Sequence, residues 1–86
     1  MHYPKHIIKV LGAGCETCHN MHVYAQKEVE ERGLDAEVKY ISDLSEMLIY
    51  GYMSLPAIVI DEEVKVKGKM MSEEEVHEFF EGLELE

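Results

Sequence analysis

Cys15 and Cys18 are the only two cysteines of the chain, separated by Glu16 and Thr17. At this spacing two thiols can close into a disulfide with little backbone motion. They follow an apolar run and precede a helical pattern, so the first falls where a helix N-terminus would hold part of it as thiolate. Such a pair can store two electrons. His19 and His22 open two other chemistries. Cys15-Glu16-Thr17-Cys18-His19 fits the c-type haem attachment pattern, and Cys15, Cys18, His19 and His22 could together ligate zinc. Haem attachment belongs mostly outside the cytoplasm, in largely helical chains, whereas strands are predicted here on both sides of the motif. Zinc ligands crowded onto one helix converge poorly on a tetrahedron, because structural sites usually draw on two separate segments. The histidines otherwise read as solvated positions on one helix, with His19 placed to modulate Cys18. No metal and no cofactor beyond a redox-active Cys15–Cys18 disulfide is expected.

The elements that position this pair must come from a short chain. Its 86 residues, 47% of them hydrophobic, make one domain spanning 1–86, with room for a single core but not for a separate catalytic domain. Reducing power must then come from a partner. A formal charge of −10 argues against nucleic-acid binding and against docking on an anionic membrane. No stretch has the apolar length of a membrane span, and Met1 to Lys9 lacks the apolar core of a signal peptide, so a cytoplasmic location is expected; a monomer is expected as well. Adjacent cysteines in that compartment are more often catalytic or metal-binding than structural. Met47, Met53, Met70 and Met71 read as gap-filling core residues.

His6 to Leu11 is rich in β-branched residues and ends at Gly12-Ala13-Gly14, which predicts a buried strand running into a tight turn. From Cys18, Met21, Ala25 and Val29 recur at helical spacing, with Tyr24 beside them, until Arg32-Gly33. Ala36, Val38 and Tyr40 alternate with Glu37 and Lys39, predicting a second strand that a right-handed crossover lays parallel to the first. Asp43 and Glu46 resemble a capping box for a short helix carrying Leu44, Met47 and Leu48 and ending near Gly51. Leu55 to Ile60 predicts a strand with Pro56 near its start, joined across Asp61-Glu62-Glu63 to a partner strand from Val64 to Lys67. Ser72 and Glu75 form another capping box, followed by Val76, Phe79, Phe80 and Leu83 on one helical face. Glu73, Glu74, Glu75 and Glu78 read as a solvated face with favourable charges in the first turn.

In this order, βαβαββα, Gly12-Ala13-Gly14-Cys15-Glu16-Thr17-Cys18, Leu55-Pro56-Ala57-Ile58-Val59-Ile60-Asp61 and Gly68 followed by Ser72-Glu73-Glu74-Glu75 resemble the thioredoxin/glutaredoxin fold. The likeness is to its very small prokaryotic thioredoxin-like members, the redox-active disulfide proteins. It implies an α/β fold with a four-stranded mixed sheet flanked by three helices. It also implies that Cys15 is the nucleophile and Cys18 the resolving cysteine. The position of Cys15 before the helix, with Cys18 one turn down and partly covered, points the same way. By the same resemblance, Pro56 corresponds to a cis-proline beside the disulfide. Gly14, Leu55 and Pro56 would then border an extended substrate, with the Leu55 backbone pairing to it.

Glu16 departs from the Trp-Cys-Gly-Pro-Cys pattern of ordinary thioredoxins, as do Ala13-Gly14 in place of an aromatic residue. A carboxylate beside Cys15 opposes thiolate formation, and a dithiol with a poorly stabilised thiolate is a poor oxidant, so the couple is expected on the reducing side. The resulting expectation is a thiol-disulfide oxidoreductase that takes electrons from a thioredoxin-reductase-like donor to protein disulfides. The alternative is a metal- or thiol-adduct-binding carrier that uses the same Cys/His cluster without turnover.

Overall fold

The computed structural model describes residues 3–12, 14, 16–50 and 55–83. Strand β1 (His6–Leu11) is followed by helix α1 (Glu16–Arg32) and strand β2 (Ala36–Ile41). The two strands pair in parallel from His6 opposite Ala36 to Leu11 opposite Ile41, the arrangement a helical crossover requires. Gly33, at φ +62°, ends α1 as its position after Arg32 predicts, and Leu34 N–H returns to the Val29 carbonyl at 3.0 Å.

The second helix is shorter than its pattern suggests. Helix α2 (Leu44–Met47) makes one turn and tightens into a 3-10 turn at Leu48–Tyr50; the expected end near Gly51 lies outside the described residues. Asp43 caps it by accepting a hydrogen bond from Ser45 N–H at 2.8 Å. Strand β3 (Ala57–Ile60) starts two residues later than the expected Leu55, because Pro56 has no N–H to give a ladder. Strand β4 (Glu63–Lys67) completes a sheet of order β2-β1-β3-β4, in which β3 runs antiparallel to both neighbours. Helix α3 (Glu73–Glu81) carries the Ser72/Glu75 capping box in full: Glu75 N–H donates to Ser72 Oγ and Ser72 N–H to Glu75 Oε1.

Period-two alternation splits the core between the two sheet faces. Ile8, Val10, Ile58 and Ile60 face Met21, Ala25 and Val29 of α1 and Val76 and Phe80 of α3. Leu11, Ala57 and Val59 form a smaller cluster on the opposite face, covered by Met47 and Tyr50 from the second helical segment. Val64 and Val66 would share a face in a regular strand. A register shift between Ile58 and Val59, which pair with Val66 and Val64 respectively, sends Val66 to the larger cluster and Val64 to the smaller.

The β3-β4 turn is a hairpin built without glycine. Asp61 and Glu62 adopt φ of 51° and 68°, the left-handed pair that a two-residue hairpin turn demands and that favours asparagine and glycine. Both carboxylates are engaged where they stand. Asp61 accepts from Ile7 N–H at 3.0 Å and from His6 Nδ1 at 2.6 Å, and Glu62 accepts from Lys9 Nζ at 3.1 Å and the Tyr50 hydroxyl at 2.9 Å.

Candidate active site

The sequence brings its two-thiol motif to the C-terminal end of β1, where the chain leaves the sheet to enter α1. Cys18 stands in the first turn of α1 and is 2% exposed. Gly12, the first residue after β1, continues the ladder by donating to the Ile41 carbonyl at 3.0 Å. It has no room for a side chain. A Cβ on Gly12 would lie 2.5 Å from the Cys18 Cβ, 3.0 Å from the Cys18 Sγ and 2.9 Å from the Tyr40 hydroxyl oxygen. Glycine at this position is therefore what lets the first turn of α1 close onto the end of the sheet. Gly14 is needed for a different reason: its φ is +84°, and a Cβ there would meet nothing within 4 Å. Gly14 is thus exposed and open directly before the motif.

Cys15 lies outside the described residues, as does Ala13. Glu16 is exposed and opens α1. His19 is exposed and His22 half-buried on the next turns of the helix. Their rings lie 6.3 and 5.8 Å from that of Tyr40, the first edge-on. Among the described residues no three His, Cys, Asp or Glu side chains gather around a common point; the Cys15, Cys18, His19, His22 quartet falls partly outside them.

The Leu55–Pro56 peptide bond is cis. Leu11 pairs with Ala57, so extending the antiparallel register by one residue sets Pro56 opposite Gly12, the residue that packs on Cys18. Pro56 is fully buried and Leu55 half-buried. The Pro56 carbonyl is fixed by Gly68 N–H at 2.8 Å. Gly68 has φ +69°, so the backbone conformation at the end of β4 contributes to holding the proline segment in place.

Tyr40 is the residue of this site that sequence patterning does not single out. It reads as one apolar position of an alternating strand, and on that face it does pack against the core. Its hydroxyl, however, reaches past the end of β1 and accepts a hydrogen bond from Gly14 N–H at 2.9 Å. The register that pairs Tyr40 with Val10, two residues before Gly12, is the signal that could have placed it there.

Lys9 sits midway along β1 on the opposite sheet face. With Lys39, Ile41, Glu46, Ile49 and Tyr50 it lines a cavity of about 320 Å³. Lys9 is held by Tyr50 and Glu62, and the Tyr50 hydroxyl is the main cause that raises its ammonium above the ordinary lysine value. No helix among the described residues is long and apolar enough to cross a membrane.

Residues 6–81 match the family described as a thioredoxin domain. The chain is 35% identical over 69 residues to a thioredoxin of Methanothermobacter thermautotrophicus, an alignment covering 80% of this chain and 90% of that protein. It is 32% identical over 72 residues to a thioredoxin of Methanocaldococcus jannaschii, covering 84% and 83% respectively.

Proposed function

Because the chain belongs to the thioredoxin family, we propose that it is a small thiol-disulfide oxidoreductase, with Cys15 as nucleophile and Cys18 as resolving cysteine. The observation that carries this reading is the convergence at Gly12, where Cys18 packs against the end of β1 with the cis-Pro56 segment opposite. On this reading Gly14, Leu55 and Pro56 border the approach of an extended substrate, which the open space around Gly14, where a Cβ would meet nothing within 4 Å, supports.

In the proposed reaction the Cys15 thiolate attacks a protein disulfide and forms a mixed disulfide, while the first substrate sulfur leaves and takes up a proton. Cys18 then attacks the Cys15 sulfur and releases the second substrate sulfur, leaving a Cys15–Cys18 disulfide. A thioredoxin-reductase-like donor returns two electrons to the pair. Thiols buried like Cys18 are poor first attackers, whereas one preceding the helix has first-turn amides to stabilise its thiolate.

Trapping in a lysate tests this. The Cys18→Ser chain should accumulate mixed disulfides with client proteins that reductant releases, and the Cys15→Ser chain should accumulate none. Equal trapping by both variants, or by Cys15→Ser alone, overturns the assignment.

A further inference from the structure

We propose that β2 is a self-recognising edge, through which two copies of this chain pair antiparallel about a two-fold axis and join their sheets into one. The sheet ends at β2 on one side and at β4 on the other. The two edges differ. The register shift between Ile58 and Val59 interrupts the ladder to β4, and a bulge of that kind blunts an edge against further pairing. Strand β2 is regular through all 6 of its residues.

The backbone of β2 divides by position. His6 N–H donates to the Asp35 carbonyl and Gly12 N–H to that of Ile41, both at 3.0 Å. In a parallel ladder this phase turns the polar groups of Glu37 and Lys39 toward β1 and leaves the N–H and C=O of Ala36, Val38 and Tyr40 pointing outward. A further strand can add there by exchanging hydrogen bonds with these residues.

The side chains select which strand. Set antiparallel about Val38, two β2 edges place Val38 opposite Val38 and Ala36 opposite Tyr40, small against large, on the face that packs against the larger core cluster. On the other face Glu37 stands opposite Lys39 of the second copy, and Lys39 opposite its Glu37. These are non-hydrogen-bonded pairs, in which side chains come closest. Both residues are exposed, and among the described residues neither forms an ion pair within its own chain. The neighbour of Lys39 on β1 is Lys9, a like charge, so the second copy supplies the opposite charge that this row of the sheet lacks on its outer side. Sliding the strands by two residues either way sets Glu37 opposite Glu37 or Lys39 opposite Lys39, which like-charge repulsion disfavours. The edge therefore fits one register of one partner, a second copy, in the isologous contact that a two-fold generates. The net charge of −10 opposes association at long range. At about 0.15 M salt the Debye length is ~8 Å, which screens the remote charges more than the facing pairs.

Sedimentation equilibrium at that salt tests the pairing, with a thiol reductant present so that no intermolecular disulfide forms. The parent should show a monomer–dimer equilibrium between micromolar and millimolar concentration. Lys39→Glu and Glu37→Lys, each alone, turn both facing pairs repulsive and should weaken dimerisation about tenfold or more. An equimolar mixture of the two variants restores opposite charges at both pairs and should associate as tightly as the parent. The mixed dimer carries the same total charge as two parent chains, so only the facing contacts distinguish it from either variant alone. A parent that stays the expected monomer throughout, whether its edge is open or takes an extended segment of another protein, overturns the proposal. So does a mixture that associates no better than its components, which would place the contact elsewhere on the surface.

Discussion

His77 of α3 donates from Nδ1 to both carboxylate oxygens of Glu28 on α1, at 3.1 and 3.0 Å, and this contact links the two helices that cover the larger core. Glu28 is 5% exposed. Burial alone would push its carboxyl up, but Arg32 Nε at 2.8 Å and His77 together hold it below the ordinary glutamate value. Glu28 in turn raises His77 above the ordinary histidine value, with Glu81 adding to the effect.

The signs fix a pH dependence. A raised histidine contributes stability that is complete below its unfolded value, ~6.5, and is lost as pH rises through its folded value. The Glu28 contribution is present above the ordinary carboxylate range and is lost as pH falls through its lowered value. Urea titrations across pH should therefore show a decline as pH rises above the ordinary histidine value, ~6.5, that His77→Gln removes. Glu28→Gln should cost about 1–3 kcal/mol at neutral pH, the worth of hydrogen bonds to a charged group. A pH profile identical in His77→Gln and the parent would refute the linkage.

The β3-β4 turn offers two opposite substitutions. Asp61→Ala should destabilise by about 1–3 kcal/mol, since Ile7 N–H loses its acceptor and alanine gains nothing to offset a left-handed backbone. The carboxyl of Asp61 is lowered chiefly by His6, then by Ile7 N–H. The contribution it makes is thus present above the ordinary aspartate range and fades as pH falls through the lowered value. Glu62→Gly should remain close to the parent in stability, because relief of the left-handed conformation offsets the lost, exposed contacts to Lys9 and Tyr50. Equal losses in the two variants would show that the turn conformation is not what Asp61 supports.

Gly12 and Gly14 should respond differently to alanine. Gly14→Ala places a methyl in open space and should cost only the left-handed penalty, about 1–2 kcal/mol. Gly12→Ala drives a Cβ to 2.5 Å from the Cys18 Cβ. It should cost about 1–3 kcal/mol through displacement of the first turn of α1 and should slow exchange in the same variant. Thermal unfolding together with mixed-disulfide formation rates would check both, and exchange at the parental rate in Gly12→Ala would contradict the close approach.

What the sequence made legible was local. The Ser72/Glu75 box, the Gly33 stop and the parallel βαβ unit each depend on neighbours a few residues apart or on a fixed chain handedness. The cis bond at Leu55–Pro56 followed from resemblance, not from residue chemistry. Long-range matters stayed hidden. Buried Glu28 looks like any solvated helix glutamate until Arg32 and His77 converge on it. The division of Val64 and Val66 between faces needs a bulge that alternation does not announce. Tyr40 acquires its place in the site only through the β1-β2 register and the missing side chain of Gly12.

Cys18 is 2% exposed behind Gly12, so iodoacetamide should modify Cys15 of the reduced protein well before Cys18, as peptide mapping would show. The carboxylate of Glu16, exposed in the first turn of α1, opposes a neighbouring thiolate through solvent. Glu16→Gln should therefore raise the thiolate fraction of Cys15 at neutral pH, while lower intrinsic nucleophilicity trims the alkylation gain to about twofold. Because stabilising the thiolate stabilises the reduced form, the same variant should become more oxidising. The parent should titrate nearer the thioredoxin potential of ~−270 mV than the strongly oxidising ~−120 mV. Preferential labelling of Cys18 would reverse the assignment of nucleophile and resolving cysteine. An unchanged rate and potential in Glu16→Gln would mean that this carboxylate points away from the sulfur.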